Sequence, residues 1–298
     1  MRKTKWRHSS PGSIVFDIFV FLFMLLIAFI CFYPFWYVFA VSVNDNSVAS
    51  YITVRFWPKA FTLKNYGYVF QSPLLLSGFG ITILRTIIST VLSLILSGGM
   101  AYALSRKELV GRTFFNIFLI ITMYLGGGII PLYILFRDLN LLNTFAVLIV
   151  VNLFSAWNII LLRTSISNIP DGMVESAKID GANDLLIYFR IVMPCSKPIF
   201  ATITLFHAVS IWNDWFAGDM FITSNGLLPI QTIMVRIIND LSSRDMILSA
   251  GVAGENVGTM VESVKMASVM LTVLPIVMVY PFLQKYFVKG IMIGSLKG

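Results

Sequence analysis

Long apolar segments separated by shorter polar ones run along the whole chain. A helix that crosses a bilayer needs about 20 mostly apolar residues. Six segments are long and apolar enough to do so, and they are residues 14–43, 79–104, 113–136, 145–162, 199–217 and 266–288. The pattern therefore predicts an all-α polytopic membrane protein with six transmembrane helices. We expect one membrane domain over residues 14–288 and short termini at residues 1–13 and 289–298.

Composition supports a membrane location. The chain of 298 residues is 57% hydrophobic and only 12% charged, whereas soluble domains carry roughly a quarter charged residues. The first apolar segment is far longer than the apolar core of a cleavable signal peptide, so we interpret it as a retained span. The two cysteines, Cys31 and Cys195, are too few for a disulfide framework and are expected to be free thiols.

The net charge of +8 is explained by its distribution. Lys and Arg residues mark the cytoplasmic side of membrane proteins, and they are more numerous at the two termini and in the second and fourth loops. An even number of spans also places both termini on one side. The sequence therefore predicts a multi-pass membrane protein with both termini in the cytoplasm, and the excess of positive charge requires no nucleic-acid partner.

The predicted inner loop over residues 163–198 is much longer than a connection between two spans requires. Pro170 and Asp171 suit the first turn of a helix, and Gly181 suits the position after its end. Asn183 can cap a second helix, which Pro194 is expected to stop. Apolar residues fall on one face of each helix, and they are Met173, Val174 and Ala177 in the first and Leu185, Leu186 and Phe189 in the second. A loop with this much built structure is expected to dock into a partner.

The spacing within this loop resembles the signature of ABC importer permeases. In that family Glu-Ala-Ala is followed by three residues, Gly, nine residues, Ile, one residue and Leu-Pro. Here the matching positions are Glu175, Ser176, Ala177, Gly181, Ile191, Met193 and Pro194. The spacing agrees throughout, and the two departures, Ser176 and Met193, are conservative. A plain amphipathic connector between two spans is the alternative interpretation.

The resemblance implies a type I importer permease fold in the bacterial cytoplasmic (inner) membrane and a role for the loop as the coupling helix. It implies that the ATPase subunit is contacted through Glu175, Ser176, Ala177, Asp180, Gly181, Ile191 and Pro194. The whole chain is similar to carbohydrate-importer permeases of the maltose-permease type, particularly those for uronic oligosaccharides such as alginate or pectin fragments. The C-terminal tail with Lys289, Gly294 and Lys297 resembles a tail that reaches toward the ATPase dimer. The implied partners are a second, non-identical permease, two ATPase subunits, an external solute-binding protein and an oligosaccharide.

The chain itself lacks a Gly-x-x-x-x-Gly-Lys-Ser/Thr phosphate loop. It is therefore expected to be no enzyme and to hold no cofactor, with ATP and Mg bound by the partner ATPase subunits. The triplet Gly126–Gly128 is expected to be a packing or kink site, and no residues have metal-ligand spacing. An ion-coupled secondary transporter of small polar solutes is the alternative, but it needs charged residues in mid-span. Asp17, Arg85 and Asp214 instead lie near predicted span ends, where their side chains are expected to reach water.

A sugar pathway needs hydrogen-bonding groups and flat aromatic faces. The fourth and fifth spans offer such residues, and the candidates are Asn152, Asn158, His207, Trp212, Asn213 and Asp214. Helix packing and an interfacial aromatic belt are the alternative roles. Residues 218–265 form a predicted outer loop, which the resemblance links to probing the sugar-binding protein. Turns are expected in it at Asn225-Gly226 and at residues 251–254.

Overall fold

The structure is a computed structural model that describes residues 11–46, 48–249 and 262–278. Helices dominate these residues, and the prediction of an all-α chain is confirmed. The helices are α1 (Pro11–Ser42), α2 (Lys64–Gln71), α3 (Pro73–Ser105), α4 (Arg112–Tyr124), α5 (Ile129–Asp138), α6 (Phe145–Val150), α7 (Ala156–Ile166), α8 (Asp171–Ile179), α9 (Asp184–Ile187), α10 (Met193–Cys195), α11 (Lys197–Asn213), α12 (Phe216–Phe221) and α13 (Ile230–Ser249). Residues 262–278 form a further helix, α14. The predicted C-terminal tail with Lys289, Gly294 and Lys297, most of the N-terminus and the predicted turn at 251–254 lie outside the described residues.

Contacts divide the chain into two units. The first comprises the described residues of 1–71 and 241–271. Its helix α1 exposes apolar side chains such as Phe16, Leu22 and Phe29 along its length, as a helix solvated by lipid would. After α1, the Asn44 side chain connects the end of the helix to residues 59 and 60. Its side-chain oxygen accepts hydrogen bonds from the backbone N–H groups of Lys59 and Ala60 at 2.9 and 3.2 Å. The predicted outer loop after the first span is therefore an ordered segment.

The second unit comprises the described residues of 72–240 and 272–298. Helix α3 lies at its centre, where it packs against α7 and α11. Ser72 caps α3 by accepting a hydrogen bond from the N–H of Leu75, and Pro73 occupies its first turn, where a missing N–H leaves no bond unmade. The buried face of α3 carries small hydroxyl side chains, those of Thr82, Ser89, Ser93 and Ser97, together with Arg85. Small residues allow close helix packing in membranes.

The spans differ from the prediction in their continuity. Helices α1 and α3 are each long and apolar enough to cross a bilayer without interruption. Two further pairs qualify only as bent spans: α4 with α5, which turn by 112°, and the helical segment Asp184–Cys195 with α11, which turn by 88°. The predicted fourth span is divided into α6 and α7 by residues 151–155, and the predicted sixth span is described only to residue 278. Interrupted helices occur in membrane proteins where they are buried in protein or line a cavity.

The break between α4 and α5 coincides with the glycine triplet. Gly128 has a φ of +80°, a backbone conformation that glycine adopts without steric penalty. Among the described residues, nothing lies within 4 Å of a Cβ atom placed on Gly126, Gly127 or Gly128. The positive φ, and not close contact with a described helix, therefore accounts for glycine at position 128.

Candidate functional site

The first candidate site is the segment of residues 171–195, called the 171–195 segment below. Its local structure agrees closely with the sequence. Helix α8 begins at Asp171, directly after Pro170, and ends at Ile179. Gly181 then adopts a φ of +80°. The Asn183 side chain caps the next helix by accepting a hydrogen bond from the N–H of Leu186 at 2.8 Å.

The second helix ends at Cys195, one residue after the predicted stop at Pro194. Helical structure runs from Asp184 to Cys195, with a π-helical stretch over Tyr188–Val192. Pro194 lies in the first turn of α10 directly after that stretch. The wider π turn shifts the hydrogen-bond register, so that a residue without an N–H group is tolerated there. The chain then turns at Ser196 into α11.

The 171–195 segment has a buried face and an exposed face. Val174, Ile187, Tyr188 and Val192 belong to a core formed with residues of α3, α7 and α11, such as Ala101, Leu162 and Ile203. The exposed apolar residues are Met173, Ile179, Leu185, Leu186 and Phe189. Of the residues predicted to contact the ATPase subunit, Glu175, Ser176, Asp180, Gly181 and Pro194 are exposed, and Ala177 and Ile191 are half-buried. The segment is thus fixed to three helices on one side and presents a mixed apolar and acidic surface on the other.

Two tyrosines attach the segment to α3. The Tyr188 hydroxyl donates to the backbone carbonyl of Leu94 at 3.3 Å, and the Tyr102 hydroxyl donates to Oδ1 of Asp184 at 3.1 Å. The guanidinium of Arg106 lies 5.0 Å from the centre of the Tyr102 ring. A displacement of the segment would therefore be transmitted directly to α3.

Two ion pairs connect α8 to the turn between α3 and α4. Nζ of Lys107 lies 2.9 Å from Oδ2 of Asp171, and Nζ of Lys178 lies 3.5 Å from Oε2 of Glu108. The hydrogen bond from Lys107 lowers the pKa of the Asp171 carboxyl below its ordinary value. Solvent-exposed pairs of this kind contribute little to stability, so we assign them a role in orienting α8.

The second candidate site contains a buried ion pair that the sequence did not reveal. Nη2 of Arg85 donates to the backbone carbonyls of Ile211 and Asp214 at 2.6 and 2.8 Å. The same atom lies 3.1 Å from Oδ2 of Asp214. The Arg85 side chain is 0% exposed, so the expectation that it reaches water at a span end is wrong. The reason is that the end of α11 supplies acceptors that replace water.

Asp214 is held by several donors in addition to Arg85. The amide Nδ2 of Asn152 donates to Oδ2 at 2.9 Å. Oδ1 accepts from the backbone N–H groups of Phe216 and Ala217 at 3.1 and 3.2 Å. Asp214 thereby joins the end of α11, the start of α12 and the break before α7. Nε and Nη1 of Arg85 have no hydrogen-bond partner in the part of the chain that the structure describes.

Next to this network lies a cavity of about 400 Å³ at the break between α6 and α7. Its lining residues are Asn152, Phe154, Ser155, Trp157, Asn158, Phe206, His207, Ser210 and Ile211. Nε2 of His207 lies 3.1 Å from the Ser89 hydroxyl of α3. The cavity is therefore connected to α3 by two contacts, that of Ser89 with His207 and that of Arg85 with Ile211.

The six candidate pathway residues separate into groups. Asn152, Asn158 and His207 line the cavity, and Asp214 accepts a hydrogen bond from the Asn152 side chain. The Trp212 indole donates to the carbonyl of Thr272 at 3.0 Å, and Asn213 donates to Val209 within its own helix at 2.9 Å. The sequence pattern did not predict that Trp157, Ser155 and Phe206 line the cavity. The signal that could have indicated it is that Ser155, a helix-capping type of residue, lies in the middle of an apparently continuous span.

The predicted outer loop over residues 218–265 is largely helical where it is described, because α13 occupies Ile230–Ser249. Its first turn was foreseen, since Asn225–Leu227 form a short 3₁₀ turn. The Arg236 guanidinium donates to Oδ1 of Asp219 at 2.8 Å and connects α13 to α12. Both cysteines are free and exposed.

Comparison with known proteins agrees with this architecture. The chain is 36% identical to the polygalacturonan/rhamnogalacturonan transport system permease protein YtcP of Bacillus subtilis, over 95% of this chain and 99% of that protein. It is 35% identical to protein LplC of the same organism, over 98% of each chain. A crystal structure of a bacterial ABC transporter involved in the import of the acidic polysaccharide alginate contains a chain with a TM-score of 0.84 and 31% identity, covering 94% of this chain and 99% of that one.

These similarities extend over nearly the full length and include both candidate sites. A family model described as "Binding-protein-dependent transport system inner membrane component" matches residues 3–293. The resemblance carried by the 171–195 segment and the type I importer permease fold are therefore confirmed. This chain belongs to the family of inner membrane components of binding-protein-dependent transport systems.

Proposed function

We propose that the chain is one of two permease subunits of an ATP-driven importer of acidic oligosaccharides. Two ATPase subunits supply the energy, and an external solute-binding protein delivers the sugar. A second, non-identical permease completes the translocation path. Both termini lie in the cytoplasm, so that the 171–195 segment faces the ATPase subunits, which bind ATP and Mg.

The observation that carries this proposal is the construction of the 171–195 segment. One face is locked into a core with α3, α7 and α11, whereas the other exposes Ile179 and Leu185 at 86% and 70%. Exposed apolar residues beside an acidic residue, here Glu175, suit a docking surface for another protein. An ATPase subunit bound to this face would move α3, α7 and α11 together.

The substrate class rests on relatives. YtcP is named for the transport of polygalacturonan and rhamnogalacturonan, and the similar crystal structure belongs to an importer of alginate. Both are polymers that contain uronic acids. An acidic oligosaccharide is therefore the substrate that these similarities favour for this chain.

Among the described residues, the buried Arg85–Asp214 pair is a feature that an ion-coupled secondary transporter would also need. A coupling carboxylate must exchange its proton or ion during transport. Asp214 instead accepts hydrogen bonds from Arg85, Asn152 and two backbone N–H groups. These bonds hold the Asp214 side chain in one position and favour a structural role for the pair.

The test is uptake by the complete importer in proteoliposomes, with its binding protein and a panel of acidic and neutral oligosaccharides. We expect uptake to require ATP and binding protein, and Glu175→Lys and Gly181→Asp to separate ATP hydrolysis from uptake. Uptake driven by an ion gradient without ATP would overturn the proposal. Unchanged uptake by both variants would remove the coupling role from the 171–195 segment.

A further inference from the structure

The last third of α1 carries a cluster of four aromatic side chains. Two come from the helix and two from the segment that follows it, and they are Tyr33, Trp36, Phe56 and Trp57. The ring centres of Trp36 and Trp57 lie 5.2 Å apart, and those of Tyr33 and Phe56 lie 5.5 Å apart. These residues, called the aromatic cluster below, form one continuous patch within the first unit of the chain.

Hydrogen bonds fix the returning segment against α1. The Trp36 indole donates to the backbone carbonyl of Phe56 at 2.7 Å, and the Tyr33 hydroxyl donates to that of Arg55 at 3.4 Å. Phe56 and Trp57 nevertheless remain exposed at 52% and 69%. The aromatic cluster is therefore held in place on one side and open on the other.

The length of α1 places the cluster at a membrane boundary. With 32 residues the helix is about 48 Å long, whereas the hydrocarbon layer is about 30 Å thick. A tilt of about 20° accounts for only about 2 Å of this difference. About 20 residues counted from Ile14, where the apolar segment begins, end near Pro34. Tyr33 and Trp36 therefore lie where the hydrocarbon layer ends, the level at which Trp and Tyr are enriched.

The segment that contributes Phe56 and Trp57 is charged with one sign only. Residues 48–71 contain three basic residues, Arg55, Lys59 and Lys64, and no Asp or Glu. All three are exposed, and none forms an ion pair among the described residues. Since basic residues are normally concentrated in cytoplasmic loops, uncompensated charges in a predicted outer loop indicate a partner of opposite sign.

An anionic phospholipid matches both the apolar and the basic part of this surface. Its acyl chains pack beside aromatic rings, and its phosphate accepts hydrogen bonds from a planar guanidinium. The bond between Tyr33 and the Arg55 carbonyl places Arg55 close to the level of the headgroups. Lipid phosphates are present at this depth around the whole protein, whereas a protein partner would have to supply acidic residues at the membrane boundary.

We propose that the aromatic cluster, together with Arg55 and Lys59, is a binding site for an anionic phospholipid. The rings contact the upper part of the acyl chains, and Arg55 pairs with the phosphate. A lipid held in this way fixes the depth of α1 and of the segment that follows it. The assignment to the outer leaflet rests on the proposed function, which places both termini in the cytoplasm, but the binding itself does not.

The first experiment measures binding of phosphatidylglycerol and of phosphatidylcholine to the purified complete assembly by native mass spectrometry. A basic residue near an anionic lipid surface changes affinity about fivefold, so we expect Arg55→Gln to weaken phosphatidylglycerol binding by about that factor and to leave phosphatidylcholine binding unchanged. Arg137→Gln is the matched control and should change neither, because Arg137 is also exposed but is paired with Asp138 at 3.0 Å.

Two results of this experiment would overturn the proposal. One is equal binding of phosphatidylglycerol by Arg55→Gln and Arg137→Gln. The other is displacement of the lipid by inorganic phosphate, which would show that the site recognises a phosphate group alone. Because other surfaces of the assembly also bind lipid, the difference between the two variants is the quantity to compare.

The second experiment measures the depth of the cluster in proteoliposomes. An environment-sensitive fluorophore is attached to Trp57→Cys or, as the control, to Val48→Cys, after Cys31→Ser and Cys195→Ser and replacement of the cysteines in the other subunits. Val48 is 74% exposed but lies beyond the end of α1. We expect lipids with a nitroxide near the headgroup to quench position 57 more strongly than lipids with a nitroxide near the chain end. Aqueous iodide should quench position 48 instead.

A second permease covering the cluster is the competing occupant. In that case neither lipid nitroxides nor iodide would quench position 57, and a short bismaleimide would join Trp57→Cys to a cysteine in that subunit. Either finding would overturn the lipid site. None of these measurements requires transport, so an assembly that takes up no oligosaccharide would refute the proposed function and leave the lipid site standing.

Discussion

The hydroxyl of Tyr188 occupies the space that a Cβ atom on Gly98 would need. Two ring atoms of Phe200 lie within 3.0 Å of the same point. A glycine in α3 thus allows the 171–195 segment to approach the helix backbone, where Tyr188 bonds to the carbonyls of Leu94 and Ile95 at 3.3 and 3.4 Å. This contact places the segment directly against the backbone of the central helix.

Gly98→Ala should weaken that connection. The added methyl group would displace the Tyr188 hydroxyl, and overpacking of this kind costs about 1–3 kcal/mol. We expect a lower thermal midpoint of the purified complex and less uptake per ATP hydrolysed. Gly99→Ala is the matched control, because a Cβ atom there meets nothing within 4 Å. Equal effects of the two substitutions would show that the Tyr188 contact is unimportant.

The sequence predicted the 171–195 segment well because its determinants are local. Pro170, Gly181 and Asn183 act on their own backbone, and the structure shows each in its expected role. It did not predict the π turn over Tyr188–Val192, whose residues Tyr188 and Val192 are packed in the core. Local turn chemistry is readable from a sequence, whereas a register shift imposed by packing is not.

The Arg85–Asp214 pair could not be predicted for a related reason. The two residues are separated by 129 positions, and hydropathy places each near the end of a different span. Nothing in the pattern indicates that the end of α11 offers backbone carbonyls to a guanidinium. The cavity was foreseen in part: Asn152, Asn158 and His207 were candidates, but the aromatic wall follows from the break in the fourth span.

Removing Asp214 should destabilise the assembly more than removing Arg85. Asp214→Leu leaves a buried guanidinium with two unpartnered nitrogens already present, and we expect a loss of about 3–5 kcal/mol. Arg85→Met should cost less, because Asp214 is 16% exposed and keeps its bonds to Asn152 and two N–H groups. Thermal denaturation of the purified complex measures both.

The double variant Arg85→Met with Asp214→Leu provides the control for this prediction. It removes both charges and leaves neither one buried alone, so it should be more stable than Asp214→Leu. If the double variant lost as much stability as the sum of the single variants, the two residues would contribute independently and their interaction energy would be zero.

The bend of the 171–195 segment can be tested separately from its surface. Gly181 has a φ of +80°, so Gly181→Ala introduces a strain of about 1–2 kcal/mol without adding charge. We expect reduced stimulation of ATP hydrolysis by the loaded binding protein. Gly172→Ala in α8 is the control, since a Cβ atom there has open space and ordinary helical geometry. A stronger effect at position 172 than at 181 would contradict the importance of the bend.

We expect an ATPase subunit to bind the exposed face of residues 171–195. Site-specific crosslinking in the complete assembly tests this contact, with Ile179→Cys and Leu185→Cys introduced after Cys31→Ser and Cys195→Ser. Ile130→Cys on α5 is the control, because Ile130 is also exposed, at 71%. We predict crosslinks to the ATPase subunit from positions 179 and 185 and none from 130. An assembly that imports sugar but yields no such crosslink from either position would contradict the account.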